Sequence, residues 1–279
     1  MNLIENKNYD EERALYNIKD TEVKNCVFAG EQDGESVLKE TRNIVVDNCS
    51  FSLRYPMWHV RKYELINSKL DEKTRAPIWY SRDGIIKNTV IIGVKALREC
   101  KNTVIDNCKI QSTEFGWKSK NTDIKDSELE SEYVFFNAKD VKLDNVKFNG
   151  KYSFQYVDNL EIVNSVLNTK DAFWHSKNVT VKNSVINGEY LAWFSDGLTL
   201  INCKIEGTQP LCYCKNLKLI NCEMKNCDLA FEYSEVNADI VGNIISIKNP
   251  KSGKIKVDSV DEIINEDSVM PVKGKVIIK

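Results

Sequence analysis

The residues best suited to acid–base chemistry include two glutamates in apolar segments of the chain. Glu99 and Glu114 resemble the acids of a glycoside hydrolase, since such enzymes need two carboxyl groups about 5–9.5 Å apart. They occupy adjacent turns of the repeat that organises the chain, but they lie four positions apart along the strand. At roughly 3.3 Å per residue this separates them by about 13–14 Å, which is too far for a catalytic pair. The same spacing instead predicts two ion pairs between turns, Lys95 with Glu114 and Glu99 with Lys118.

The two histidines, His59 and His175, are the other candidates for proton transfer. They share one repeat position but lie six turns apart, about 29 Å at roughly 4.8 Å per turn, so they cannot form one site. His175 lies close to Tyr156 and Phe194, with Asp171 a strand-length away, and is the one candidate for a lone acid or base. A polysaccharide lyase would need clustered aspartates for calcium beside an Arg or Lys base, and the sequence has no such cluster. Catalytic residues therefore stay unknown, and a lyase or a glycosidase is the least favoured function.

The nine cysteines are predicted to be buried thiols rather than metal ligands. Five directly follow an asparagine that recurs through the chain: Cys26, Cys49, Cys108, Cys203 and Cys222. Five other repeats carry serine or threonine there, so the position favours a small side chain, and a free thiol packs as a small hydrophobic group. A zinc site would have to use Cys212, Cys214, Cys222 and Cys227, but this run lacks the two-residue spacer and a nearby histidine. We expect no metal and no cofactor.

These residues are positioned by a repeat whose fixed point, or anchor, is an asparagine or aspartate. The anchors are Asn25, Asn48, Asn67, Asn88, Asn107, Asp126, Asn145, Asn164, Asn183, Asn202 and Asn221. From Asn88 onward each step is 19 residues, and the three earlier steps are 23, 19 and 21. All five tryptophans lie nine residues before an anchor, at position −9. A fixed period over most of a chain predicts a solenoid, in which each turn contacts only its neighbours.

Each repeat contains short strands joined by bends. Apolar and polar residues alternate before the anchor, as in residues 177–186, which is the period of a strand. The alternation slips by one residue at the anchor, so the asparagine is predicted to sit at a bend and to bond its copies in neighbouring turns. Leucine-rich repeats place their asparagine one residue later, and left-handed β-helices use multiples of six residues, so a right-handed β-helix is favoured.

The predicted fold is therefore all-β: a right-handed, single-stranded parallel β-helix of about eleven 19-residue turns over residues 20–236. Residues 1–19 are predicted to form an N-terminal cap with a short helix, because residues 10–17 have helix-forming composition with acids in the first turn. The register is lost from about Asn237, so residues 237–279 are predicted to be strands that cap the other end.

Six segments of the chain resemble a bacterial family of unknown function. They are 8–16 (NYDEERALY), 53–59 (LRYPMWH), 96–100 (ALREC), 154–156 (FQY), 172–175 (AFWH) and 209–214 (QPLCYC). The resemblance covers nearly the whole chain, and it implies a pectin-lyase-like right-handed β-helix. It implies no activity and no catalytic residues.

The aromatic run before each anchor contains two sets of positions. Positions −11, −9 and −7 are apolar or small apart from Arg98 and Gln155, whereas positions −12, −10 and −8 hold nearly all the charge. Burying these charges would cost several kcal/mol for each unpaired ion, so the tryptophan set is predicted to face the core. Arg98 would then lie between Trp79 and Trp117. The opposite facing would make the tryptophans an exposed stacking surface.

On the favoured facing, the second set forms an exposed aromatic face, and a patch of this size is typical of a binding surface. The predicted ligand-binding residues are Tyr133, Phe135, Tyr152, Phe154, Tyr156, Asp171, Phe173, His175, Tyr190 and Phe194. The hypothesis is a protein that binds an oligo- or polysaccharide along this face. The alternative is a scaffolding protein that uses the face for self-association or other protein contacts.

Composition limits the other partners. The formal net charge of −2 does not favour nucleic acid or anionic membranes. No stretch approaches the roughly 18 apolar residues of a membrane span, and the start of the chain has no signal-peptide core, so a cytoplasmic location is expected. One local exception is a basic edge that would suit an anionic chain such as a uronate. Its residues share position −6 and include Arg61, Arg82, Lys101, Lys120 and Lys139.

Overall fold

The fold is an all-β parallel solenoid, as the repeat predicts. A computed structural model describes residues 1–31 and 34–279. Over these residues the chain makes about 14 turns and contains no α-helix, only a 3₁₀ turn at Glu72–Thr74. Two compact units can be distinguished, residues 1–142 and residues 143–279.

In the first unit, two sets of parallel strands repeat once per turn, and a third set is present in some of the turns. The long strands end just before the anchors: Asn2–Glu5, Lys19–Lys24, Arg42–Asp47, Arg61–Ile66, Arg82–Lys87, Lys101–Asp106, Lys120–Lys125 and, running past the boundary, Lys139–Asp144. Shorter strands follow the bend: Asn8–Tyr9, Val27–Phe28, Ser50–Phe51, Lys69–Leu70, Val90–Gly93, Lys109–Ser112 and Glu128–Ser131. The third set is Met57–Trp58, Ile78–Trp79, Glu114–Phe115 and Tyr133–Val134.

The second unit has two of these sets and ends in longer strands. The long strands are Asp158–Val163, Lys177–Lys182, Asp196–Ile201 and Leu217–Lys225, and the short ones are Lys147–Gly150, Val166–Asn168, Val185–Asn187 and Lys204–Glu206. Glu235–Lys248, Ser252–Ile264 and Lys275–Ile278 follow. They pair in parallel with one another and so add turns beyond the predicted eleven.

The helix predicted for the N-terminal cap is wrong. Asn2–Glu5 pairs in parallel with Lys19–Lys24, so the first residues already form a turn of the ladder. Residues 10–17 form bends and turns, and the backbone N–H groups of Arg13, Leu15 and Asn17 donate to carbonyls of residues 35, 37 and 39. An eight-residue helix is marginal on its own, and these bonds to the next turn satisfy the backbone instead.

The anchors form the predicted bends and ladders. Every anchor has a left-handed backbone with φ between 49° and 52°, a conformation that asparagine tolerates better than most residues. In the first unit the Asn48 amide donates to the Asn25 side chain at 2.8 Å, and Asn107 donates to Asn88 at 2.8 Å. In the second unit Asn221 donates to Asn202 at 2.9 Å. These bonds between turns offset the strain of the left-handed residues.

The residue after the anchor forms a second, buried ladder. The predicted burial of the five thiols is confirmed, since each is at most 4% exposed. Ten of the eleven anchors are followed by a side chain with a hydrogen-bonding atom, and Val146 is the exception. For example, the Cys49 N–H donates to the Ser68 hydroxyl at 3.0 Å, and the Ser68 hydroxyl donates to the carbonyl of Ile66 at 2.7 Å. Cysteine, serine and threonine all supply this atom, whereas alanine would not. Burial raises the pKa of the Cys49 thiol to about 12.

Within residues 1–31 and 34–279, no helix has the length and apolar character needed to cross a bilayer.

Candidate functional site

The aromatic run does not alternate like a strand, because alternate residues have a left-handed backbone. Asp171, Phe173 and His175, at positions −12, −10 and −8, have φ of 53°, 61° and 55°. Left-handed residues break the regular two-residue alternation of side chains. Residues at positions −11 and −10 therefore both enter the core, those at −9 lie along the surface, and those at −8 reach solvent.

Four of the predicted ligand-binding residues are in the interior, so the exposure predicted for them is wrong. Phe135, Phe154 and Phe173, at position −10, are 0% exposed, and Asp171 is 7% exposed. Phe154 and Phe173 stack with centroids 5.3 Å apart, which makes position −10 part of the hydrophobic core of the second unit. Desolvation raises the pKa of the Asp171 carboxyl, against the opposing charge of Lys170.

Three of the predicted tyrosines are half-buried at position −12. They are Tyr133, Tyr152 and Tyr190. Tyr133 meets Trp117 edge-on, with ring planes at 83°, and Tyr190 meets Trp193 at 82°. The rings of Tyr133 and Tyr190 support these tryptophans, and only part of each of the three side chains is available to a ligand.

The remaining three predicted residues form an exposed column at position −8 of the second unit. The rings of Tyr156 and His175 are 4.9 Å apart, those of His175 and Phe194 are 5.1 Å apart, and those of Phe194 and Tyr213 are 4.9 Å apart. Their planes are within 19° of parallel, so the ring faces lie against each other and the ring edges point to solvent. We call Tyr156, His175, Phe194 and Tyr213 the ring column.

Sequence reasoning missed the exposed, stacked ring of Tyr80 in the first unit. Tyr80 occupies position −8 and stacks on His59, with centroids 5.1 Å apart. Its repeat position, which it shares with His59 and Tyr156, was the signal that could have identified it. Tyr233 lies 5.5 Å from Tyr213, but its ring is buried and tilted by 48°, so it is not part of the ring column.

The tryptophans lie along the surface, half-buried, rather than inside the core or wholly exposed. Each indole N–H donates to a backbone carbonyl of the following turn: Trp58 to Ala76, Trp79 to Lys95, Trp117 to Tyr133, Trp174 to Tyr190, and Trp193 to Gln209, at 2.6–3.1 Å. Gln155 stands in the same column, and its side-chain amide donates to the Asp171 carbonyl at 3.1 Å. Six residues at position −9, the five tryptophans and Gln155, thus supply an N–H donor to the next turn, whereas Phe136 and Cys212 occupy the same position without a side-chain N–H.

We expect the substitution Gln155→Met to lower the free energy of unfolding by about 1–3 kcal/mol, because it leaves the half-buried carbonyl of Asp171 without its amide donor. Gln155→Trp keeps a donor and adds a ring beside Trp174, so it should raise stability by about 0.5–1.5 kcal/mol. Urea denaturation of both variants measures the two effects. Wild-type stability for the methionine variant would show that the donor does not matter.

Arg98 occupies position −9 between two tryptophans, as predicted. Its guanidinium lies 5.1 Å from the centre of the Trp79 ring and 5.3 Å from that of Trp117. Glu114 supplies the anionic partner at 3.6 Å and also pairs with Lys95 at 3.7 Å. The predicted Lys95–Glu114 ion pair is thus confirmed, and Glu114 forms a second ion pair with Arg98. The predicted Glu99–Lys118 pair is wrong, since no contact within 4.0 Å joins them in the first unit as described.

Comparisons with known proteins identify the family and support the fold. The model of a family described as "Protein of unknown function (DUF3737)" matches residues 2–278. No curated protein matches the chain in sequence. Among solved structures, PfbA, a surface adhesin of Streptococcus pneumoniae, is 11% identical with a TM-score of 0.56, over 95% of this chain and 83% of PfbA. The A-module of the mannuronan C-5 epimerase AlgE6 from Azotobacter vinelandii is 8% identical with a TM-score of 0.42, over 98% and 87% of the two chains.

Proposed function

The chain belongs to the DUF3737 family, and we propose that it is a carbohydrate-binding protein whose second unit holds a sugar chain along the ring column. The observation that carries the proposal is the exposure of stacked rings: Tyr156 is 48% exposed and Phe194 is 44% exposed. Soluble proteins rarely leave a continuous aromatic stripe in water unless the stripe binds something. The adhesin PfbA has the same overall fold, which is compatible with a binding role and identifies no ligand.

The geometry of the ring column suits edgewise contact with a sugar. Because the ring faces cover one another, a ligand meets the C–H edges, which carry the positive end of the aromatic quadrupole. Tyr156 and Tyr213 add hydroxyl groups at the two ends of the column, and His175 adds ring nitrogens one turn after Tyr156. A chain of hydroxyls and ring oxygens can accept from and donate to such a surface along its length.

The column of side chains beside the rings favours a neutral ligand in this unit. Position −6 alternates in sign along the pairing register, from Asp158 to Lys177 to Asp196 to Lys215. Alternating charges give no net field, but they supply hydrogen-bond acceptors and donors in turn. This arrangement suits hydroxyl groups, which serve as both donor and acceptor.

We expect a double substitution, Tyr156→Ala with Phe194→Ala, to weaken binding of a neutral oligosaccharide at least tenfold, or about 1.4 kcal/mol. Calorimetric titration with a panel of neutral oligosaccharides measures the affinity. Tyr16→Ala is the matched control, because Tyr16 is 48% exposed but lies outside the ring column. Unchanged affinity in the double variant, or no binding by the wild-type protein to any sugar of the panel, would contradict the proposal.

A scaffolding role is the second candidate, and the outward edges of the rings favour it, since they leave no ring face inside the column for a sugar to stack on. In that case the ring column would be covered by protein. Sedimentation of the wild-type protein and the double variant separates the two functions. A stable oligomer that dissociates in the double variant supports the scaffold and opposes the sugar.

A further inference from the structure

The first unit has a row of cations at position −6 that the fold itself does not neutralise. The pairing register places Arg82 directly beside Arg61 and Lys101, and Lys120 beside Lys101. Neighbouring turns are about 4.8 Å apart, and like charges placed directly opposite each other on a sheet are destabilising. In the described part of the chain, only Arg82 of these four has a carboxylate within 4.0 Å, Asp83 at 3.9 Å.

The second unit shows that the fold permits a different arrangement. There the same position alternates in sign through Asp158, Lys177, Asp196 and Lys215, so each charge has opposite neighbours. Packing and hydrogen bonding at this position therefore do not require a cation. The uniform sign in the first unit must have another use, and a bound anion is the simplest one that removes the repulsion.

The cations border an open recess on the surface of the first unit. Five of its lining residues are cationic: Arg61, Arg82, Lys101, Lys118 and Lys120. Glu99 is the one carboxylate in the lining, which leaves four positive charges in excess. The whole chain has a net charge of −2, so the recess is a local reversal of the overall charge.

An aromatic ring lies at one side of the recess. Tyr80 is 40% exposed and lines the recess beside Ser81. One of its faces is covered by His59, and Trp79 meets it edge-on at 87°, so the ring is held in place. The next residue at position −8 is Glu99, not an aromatic, so the second face of Tyr80 is not stacked on another ring. A sugar in the recess can therefore contact the exposed part of the Tyr80 ring beside the Glu99 side chain.

We propose that this recess binds an acidic polysaccharide, with its anionic groups along the cations and a sugar ring against Tyr80. The inference rests on the proposed function only in taking a sugar as the ligand, since it concerns other residues and another unit. Carboxylate and sulfate groups fit the cations equally well, whereas the ring selects a sugar over an acidic peptide. Both arginines can bind an anionic group with two hydrogen bonds, and the lysines add point charges.

The test measures binding of the full-length protein to polygalacturonate and to a sulfated glucan at several salt concentrations. We expect Arg82→Gln with Lys101→Gln to weaken both at least tenfold and to reduce the salt dependence. Lys69→Gln with Lys109→Gln is the matched control, because it removes two exposed cations of the same unit that do not line the recess. Equal affinities for both double variants would overturn the proposal.

Tyr80→Ala tests the ring separately from the charges. It should weaken polygalacturonate binding severalfold while leaving polyglutamate binding unchanged, because only the sugar uses the ring. Equally tight binding of an oligothymidylate by the wild-type protein would also overturn the proposal, since the row would then be a general polyanion surface. Neutral oligosaccharides serve as a further arm: if they bind and polygalacturonate does not, this inference fails while the proposed function stands.

Discussion

Replacing Phe173 by alanine is expected to lower the free energy of unfolding by about 3–5 kcal/mol. Phe173 is 0% exposed, and its ring stacks on Phe154 with centroids 5.3 Å apart. Truncation removes the burial of a whole ring and leaves a cavity that the repeating backbone cannot close, since both neighbouring turns are held by their own hydrogen bonds. Denaturant unfolding of the purified variant measures the loss.

Phe194→Ala is the control for this prediction. Phe173 occupies position −10 of its turn, whereas Phe194 occupies position −8 of the next turn and is 44% exposed. It stacks on His175 and Tyr213 at the surface, so its loss should cost about 1 kcal/mol or less. Similar costs for the two variants would mean that positions −10 and −8 do not differ in burial. The ligand-binding role of the ring column would then lose its structural basis, since it depends on this difference.

The repeat and the anchors could be predicted from the sequence because each turn must make the same bonds to the next. An asparagine such as Asn202 must accept from Asn221 and donate to Asn183, and this requirement fixes both its residue type and its spacing. The period of 19 residues follows directly, and with it the parallel solenoid. The buried thiols could be predicted for the same reason, since ten of the eleven anchors are followed by cysteine, serine or threonine.

The facing of the aromatic run could not be predicted, because residue type does not determine where phenylalanine adopts a left-handed backbone. Phe173 and Phe194 have φ of 61° and 60°, and one is buried whereas the other is exposed. Aromatic residues rarely adopt this conformation, so the sequence pattern indicates a regular strand with two faces. The role of the tryptophans could not be predicted for the same reason. Their hydrophobicity predicts a stack inside the core, whereas in the structure each indole lies along the surface and its N–H donates to a carbonyl of the next turn.

Gly188→Ala is expected to lower the free energy of unfolding by about 3 kcal/mol or more. Gly188 has φ of 150°, a region that other residues avoid, and a Cβ built there would lie 1.3 Å from the backbone oxygen of Thr169. That oxygen belongs to the previous turn, so it cannot move aside as a flexible side chain would. The Gly188 N–H also donates to the Glu206 carbonyl at 2.8 Å, so a shift that relieves the clash weakens the bond to the following turn.

Gly242→Ala separates the clash from the backbone strain. Gly242 also has positive φ, 84°, but a Cβ there would meet nothing within 4 Å. Its substitution should cost only the left-handed strain, about 1–2 kcal/mol. Chemical denaturation of both variants gives the comparison, and equal losses would show that the close approach of the turns at Gly188 is not as described. A larger loss of stability at Gly188 would instead mean that the backbone fixes the separation between turns there. Glycine is then required at residue 188, although Ser112 and Ser131 occupy the same repeat position in the first unit.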